Sequence, residues 1–257
     1  MKLWYQSMTR SDAWSDYRKV LQGLIDRVRE PDTEIAIHGI TKVGGIADQY
    51  RYLEYLESGE VMANVQLAMR QGYDAFLIGN IADPGLRECK EIANFPVIGI
   101  CEASCHLASM MGANFGFVTI NEKFTPRVIE NVRRYGLQTR FAGARRMEMN
   151  RILTLNNGFS DPAAGRRICD EFLVAANQLV DDGAEVIIAA GGVAMALLDQ
   201  LQIYEVRPGV PILSGITAVV KMGEMAVKTS RLMGGGFTSK RLEYAPPSPD
   251  QIEEIRK

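Results

Sequence analysis

The sequence is poor in the residues that usually advertise chemistry. Among 257 residues there are two histidines, four cysteines and two tryptophans. Two histidines and scattered carboxylates give none of the usual ligand spacings, so no metal is expected. The cysteines, Cys89, Cys101, Cys105 and Cys169, form no CxxC pair, and a first strand begins directly after Met1 with no signal-like segment, so a cytoplasmic protein is expected. Neither sign of charge is in excess: 29 basic and 31 acidic residues leave a net charge of -2. Nucleic acid and anionic membrane surfaces are therefore not expected partners. Long apolar runs are also missing; those present are strand-length, well short of the roughly 20 residues a membrane span requires. The stretch GITKVGGIAD (39–48) lacks the Lys-Ser/Thr ending of a phosphate loop, and no GxGxxG follows the first strand, so no nucleotide cofactor is expected.

What is present is an alternation of short apolar runs with stretches of helical period, the pattern of an α/β protein built on parallel sheet. Strands are predicted at 3–7, 34–39, 75–79, 96–100, 116–120, 143–149, 185–190 and 211–215. Helices are predicted at 14–29, 61–71, 84–92, 101–111, 125–134, 163–181, 193–202 and 216–233.

Two pairs of segments read as an internal repeat, with chance similarity between βα units as the alternative. GYDAFLIGNIADPGL (72–86) lies on GAEVIIAAGGVAMAL (183–197), and NFPVIGICEASCHLASM (94–110) lies on GVPILSGITAVVKMGEM (209–225), by pattern more than by letters. The expected fold is two pseudo-symmetric, flavodoxin-like parallel-sheet halves with the ligand cleft between them. One half is 114–215; the other combines 1–113 with 216–257. Ligands in open α/β sheets bind beyond the carboxyl ends of strands, which makes Asn80 and Gly191 equivalent positions facing each other across the cleft.

Several residues are candidates for lining that cleft. Gly191, at a strand-to-helix turn, can take unusual backbone angles, and its amide with those of Gly192 and Val193 can hold an anion at a helix N-terminus. A tight turn explains the glycine pair equally well. Asn80 can hold a carboxylate, amide or ring carbonyl, with Ile81 and Ala82 following it, or can act as a plain turn residue. Gln6, Ser7, Thr119 and Asn121 close other strands at the same end. For proton transfer, CEASCH (101–106) supplies Glu102 and Cys101 at the start of a helix, where a thiol or a carboxyl can have a shifted pKa. His38, at the end of the second strand before a glycine-containing loop, is a further candidate. Each has a structural alternative: a buried small residue for Cys101 and Cys105, a satisfied helix side chain for His106, a strand-end histidine for His38.

IADPGL after a strand, PVIGICEASCHLASMMG, FGFVTI followed by PRVIENVRRYGL, and GITAVVKMGEMAV together resemble the aspartate/glutamate racemase superfamily, in its hydantoin and allantoin racemase-like branch, over about residues 70–230. The resemblance implies cofactor-independent chemistry with two cysteines, one from each half, flanking the substrate α-carbon. Those cysteines fall on Asn80 and Gly191 here, and neither position holds a thiol. It gives Glu102 a supporting role and implies a homo-oligomer acting on a small molecule. The expected activity is on a small carboxylate, carbonyl or cyclic ureide through an enolate-like intermediate, as a racemase-like isomerase or a one-base lyase or decarboxylase. The alternative is a non-catalytic small-anion-binding or regulatory homologue.

Overall fold

In the computed structural model, residues 1–10, 12–42, 44, 50–148 and 152–255 are described. Strands β1 (Lys2–Arg10), β2 (Glu34–Ile40), β3 (Ala75–Ile78) and β4 (Val97–Gly99) form an all-parallel sheet in the order β2-β1-β3-β4. Strands β5 (Phe115–Thr119), β6 (Phe141–Arg146), β7 (Val186–Ala190), β8 (Glu205–Arg207) and β9 (Val210–Leu213) form a second sheet, β6-β5-β7-β9-β8, in which β8 alone runs antiparallel. With β8 set aside, the two orders are identical when β1 is matched to β5, β2 to β6, β3 to β7 and β4 to β9. The β3–β7 and β4–β9 matches are those the internal repeat implies, and the expected parallel-sheet halves are present.

Period-2 alternation explains how the strands of the first sheet serve two cores. In β1, Leu3 and Tyr5 enter the main core, whereas Trp4 faces a second cluster with Val61, Val65, Phe76 and Ile78. The helices are α1 (Ser15–Val28), α2 (Arg51–Arg70), α3 (Leu86–Ile92), α4 (Ile100–Met111), α5 (Phe124–Arg134), α6 (Pro162–Asp181), α7 (Gly192–Gln200), α8 (Gly215–Leu232) and α9 (Pro249–Ile255). Helix α1 buries Tyr17, Leu21, Leu24 and Ile25, one stripe at helical spacing, against α7 and α8. Helix α6 begins where the Asp161 side chain accepts the Ala163 N–H at 2.9 Å, with Pro162 in the first position.

Two helices cross between the sheets. Helix α4 leaves β4 and packs against β5 and β7, while α8 leaves β9 and packs against β3 and β4. Gly223 of α8 permits that approach, since a β-carbon there would lie 2.5 Å from Leu77 Cδ2.

The structure differs from the sequence reading in a few places. Helix α2 starts ten residues earlier than the periodicity shows, because Glu57 is its one buried residue before Val61. The last predicted strand stops at Leu213 because the Ser214 hydroxyl accepts the Thr217 N–H and caps α8. Strand β8 and a 3-10 segment, Ile152–Phe159, have no counterpart among the predicted elements. The sixth strand is two residues early at its start, and Met149 of its predicted range lies outside the described residues. Most of the loop after His38, including Val43 and Gly45, also lies outside them.

Candidate active site

The carboxyl ends of β1, β3, β5 and β7 converge on a narrow cavity of about 60 Å³ between the two sheets. Ser7, Met8 and Thr9 come from β1, Gly79, Asn80 and Ile81 from the turn after β3, Ile120 from the end of β5, and Gly191 to Ala194 from the β7–α7 junction. Trp14 and Tyr17 from the start of α1, Phe124 from α5 and Leu155 from the 3-10 segment close the rest. The two strand ends are in contact range: a β-carbon on Gly192 would lie 3.8 Å from the Gly79 carbonyl oxygen. The size of the cavity confines its occupant to a small molecule or the reacting end of one.

One wall is a helix terminus. Gly191 precedes α7 without a capping side chain, so the first amides of a nine-residue helix border the cleft and favour a partial negative charge there. The Ser7 and Thr9 hydroxyls lie 2.8 Å apart on another wall. The Asn80 side-chain oxygen accepts the Ala82 N–H at 2.9 Å and its carbonyl accepts the Asp83 N–H at 2.9 Å. Asn80 therefore shapes the turn and also lines the cleft. The remainder of the lining, from Met8, Trp14, Ile81, Ile120, Phe124 and Leu155, is apolar.

Gly191 corrects one part of the sequence reading. Its φ of 162° and ψ of 130° are extended backbone that any residue adopts, and a β-carbon there would meet nothing nearer than Ile120 at 3.8 Å. Glycine at 191 is not demanded by the turn; it leaves open the space a side chain would fill. Gly192 is the constrained neighbour, because its β-carbon would come within 2.7 Å of the Tyr17 hydroxyl.

The turn after β3 is held from outside the cleft. Asp83, buried and in the left-handed region at φ 49°, accepts the Cys101 N–H at 3.0 Å, the Glu102 N–H at 2.9 Å and the Tyr135 hydroxyl at 2.5 Å. Burial pushes its carboxyl up to about 7, against these three hydrogen bonds, which favour the charged form. The Asn131 amide donates to the carbonyls of Ile81 and Ala82 at 3.3 and 3.1 Å. Asp83 thus caps α4, a helix other than its own, and fixes the loop that presents Asn80 and Ile81. Trp14, which lines the cleft, and Asp83, behind the turn that does, are two of four non-glycine residues at positive φ among the described residues, with Gln202 and Leu242.

Of the predicted site residues, the structure brings Ser7, Asn80, Ile81, Gly191, Gly192 and Val193 to this cavity. It places the others elsewhere. Gln6 is buried and bonded to Trp4 Nε1 at 3.0 Å and Asn64 Nδ2 at 2.9 Å. Thr119 bonds Thr125, and the Asn121 side chain accepts the N–H groups of Lys123 and Phe124 ahead of α5. His38 stacks on Trp4 with ring centroids 3.4 Å apart and reaches the Tyr73 hydroxyl at 3.3 Å; burial, then Arg18 and Lys2, lower its pKa. Cys101 is fully buried, and burial followed by its hydrogen bond to Cys105 pushes its thiol well above the ordinary range.

Glu102 and Ala82 line a different cavity, about 550 Å³ and mostly polar, with Lys90, His106 and Tyr135. There Glu102 is ion-paired with Lys90, both side chains largely buried. Glu102→Gln is expected to cost about 1 kcal/mol of stability in thermal melts, since the amide oxygen still accepts from Lys90. Ligand affinity at the smaller cleft should stay within about twofold; a tenfold change in titration would return Glu102 to that site.

The cleft lining also includes Trp14, Tyr17, Phe124 and Leu155, which no strand-end signal marked. Among the described residues lining it, Tyr17 is the one titratable side chain. Also among the described residues, no group of three or more His, Cys, Asp or Glu is placed to hold a metal ion, and no helix is long and apolar enough to cross a membrane.

The family described as Asp/Glu/Hydantoin racemase matches residues 15–223 of the chain. The hydantoin racemase of Rhizobium meliloti is 32% identical over 188 residues, 73% of this chain and 72% of that protein. The hydantoin racemase of Pseudomonas sp. (strain NS671) is 32% identical over 207 residues, 79% of each. Among solved structures, allantoin racemase from Pseudomonas fluorescens is similar with a TM-score of 0.78 and 28% identity, over 97% of this chain and 98% of that one.

Proposed function

The chain belongs to the Asp/Glu/hydantoin racemase family, and from that premise we propose that it is a cofactor-independent enzyme that makes or discharges an enolate-like carbanion at one carbon of a small carbonyl, carboxylate or cyclic ureide. The observation that carries this reading is the cleft itself: two matching strand ends, 79–81 and 191–193, face each other across a cavity bordered by the amides of α7. Donors fixed where negative charge develops are commonly the largest catalytic contribution. The apolar wall of Met8, Trp14, Phe124 and Leu155 suits a substrate with an apolar substituent beside its carbonyl groups.

If the family's paired thiols correspond to Asn80 and Gly191, the site works without them, and chemistry that needs one proton-transfer group fits better than two-sided racemisation. Exchange, isomerisation and decarboxylation are of that kind. A binding or regulatory protein is the second reading, favoured by the lack of any carboxylate, thiol or imidazole among the described residues of the lining.

Incubation with a panel of 5-substituted hydantoins, allantoin, amino acids, malonates and maleate-like acids, followed by proton NMR and chiral chromatography, tests the proposal. Conversion or isotope exchange of at least one class is expected. Tight binding of a panel member with no conversion of any would select the binding protein instead.

A further inference from the structure

We propose that the Tyr17 phenol is the acid/base of the cleft, serving one face of the substrate carbon, so that the enzyme exchanges the α-hydrogen of a C–H acid such as a 5-substituted hydantoin with retention of configuration. This rests on the reading of the cleft as a carbanion site.

Tyr17 lies in the first turn of α1, 3% exposed, and it is the one titratable side chain among the described residues that line the cavity. Its ring is held beside Phe159, with centroids 5.9 Å apart. Its hydroxyl sits against Gly192, 2.7 Å from where a β-carbon would stand, next to the first amides of α7. A helix N-terminus favours negative charge on such an oxygen. Glycine at 192 is what lets the phenol reach the cavity. Behind it, Tyr5 is fully buried against Gly79, and its hydroxyl has no hydrogen-bond partner among the described residues. Burial, and then the nearby Tyr17, push the Tyr5 phenol well above its ordinary value.

The step balances without a co-reactant. The Tyr17 phenolate takes the α-proton; the C–H bond breaks, its electron pair enters the enolate, and an O–H bond forms on Tyr17. That hydroxyl exchanges its proton with solvent and returns a solvent hydrogen to the same face of the carbon, restoring the phenolate. Among the described residues, the other walls offer the Ser7 and Thr9 hydroxyls and the Asn80 amide, which orient the carbonyl groups but do not carry protons near neutral pH.

The test follows an enantiopure 5-substituted hydantoin in deuterium oxide, with NMR for deuterium uptake and chiral chromatography for configuration. Wild-type protein is expected to incorporate deuterium faster than it inverts the centre. Tyr17→Phe, which keeps the ring beside Phe159, is expected to remain folded and to lower kcat about 100-fold or more with KM within about threefold. Inversion keeping pace with exchange, or full turnover by Tyr17→Phe, overturns the assignment while leaving the carbanion site standing. Wild-type protein inert on the whole panel overturns the site and the assignment together.

Discussion

Gly192→Ala is expected to reduce kcat/KM about 100-fold while the protein remains folded, and Gly191→Ala, one residue earlier, is expected to be tolerated. The contrast comes from where each added methyl points. At 192 it would approach the Tyr17 hydroxyl to 2.7 Å, so the phenol must move or the methyl must enter a cavity of about 60 Å³. A displacement of 1 Å at a reacting group costs on the order of 100-fold in rate. At 191 the methyl meets Ile120 at 3.8 Å, an ordinary contact, on backbone already extended. Stability of Gly191→Ala should be within about 1 kcal/mol of the parent, with a gain as reasonable as a loss, because alanine restricts the unfolded chain. Rates and melting temperatures of the two variants, measured side by side, check both halves. Equal activity in both would mean that the surface of α7 does not meet the substrate.

Asp83→Ala is expected to destabilise the fold by about 3 kcal/mol, a large share of what holds a domain of ordinary stability together. The side chain accepts from two backbone amides of α4 and from Tyr135, and removing it leaves three donors without their acceptor in a buried place. Asp83→Asn separates the charge from the shape. The folded carboxyl, raised from an unfolded value near 3.8 to about 7, holds its proton more tightly than the unfolded chain does. Its contribution is therefore fully present below about pH 3.8 and is lost as pH rises through about 7. Denaturant titrations at pH 5 and pH 8 should show a wild-type advantage over Asp83→Asn that is larger at pH 5. An advantage that grows toward pH 8 would show instead that the amides of α4 hold the carboxyl ionised.

The architecture was largely legible because its periodicities are strong. Buried parallel strands such as Val186–Ala190 read as continuous apolar runs, and the match of 72–86 with 183–197 carries over to identical strand orders in the two sheets. What escaped was weakly patterned. Arg51 to Glu60 of α2 buries only Glu57, and β8 is a three-residue antiparallel edge.

The cleft was legible where strand ends build it and not where helices cover it. Ser7, Asn80 and Gly191 follow from the rule that ligands sit beyond strand carboxyl ends. Tyr17, Trp14 and Leu155 arrive from the start of α1 and from a 3-10 turn, and their placement is fixed by packing between segments far apart in sequence. Glu102 shows the limit of spacing arguments: four-residue spacing puts Glu102 and His106 on one face of α4 without saying which way that face looks. The inward face of α4 carries Ile100, Cys101, Ser104 and Cys105, and the carboxylate looks outward to Lys90. Thr119 fails by the period of two, since its neighbour Ile120 is the one that reaches the cavity.

The most direct measurement of the central claim is hydrogen–deuterium exchange at the α-carbon of a 5-substituted hydantoin, followed by proton NMR with wild-type protein and Gly192→Ala at equal concentrations of folded protein. Exchange well above the buffer rate is expected with wild type, and about a hundredth of that rate with the variant. Exchange that is absent with wild type, or undiminished in Gly192→Ala, would contradict it.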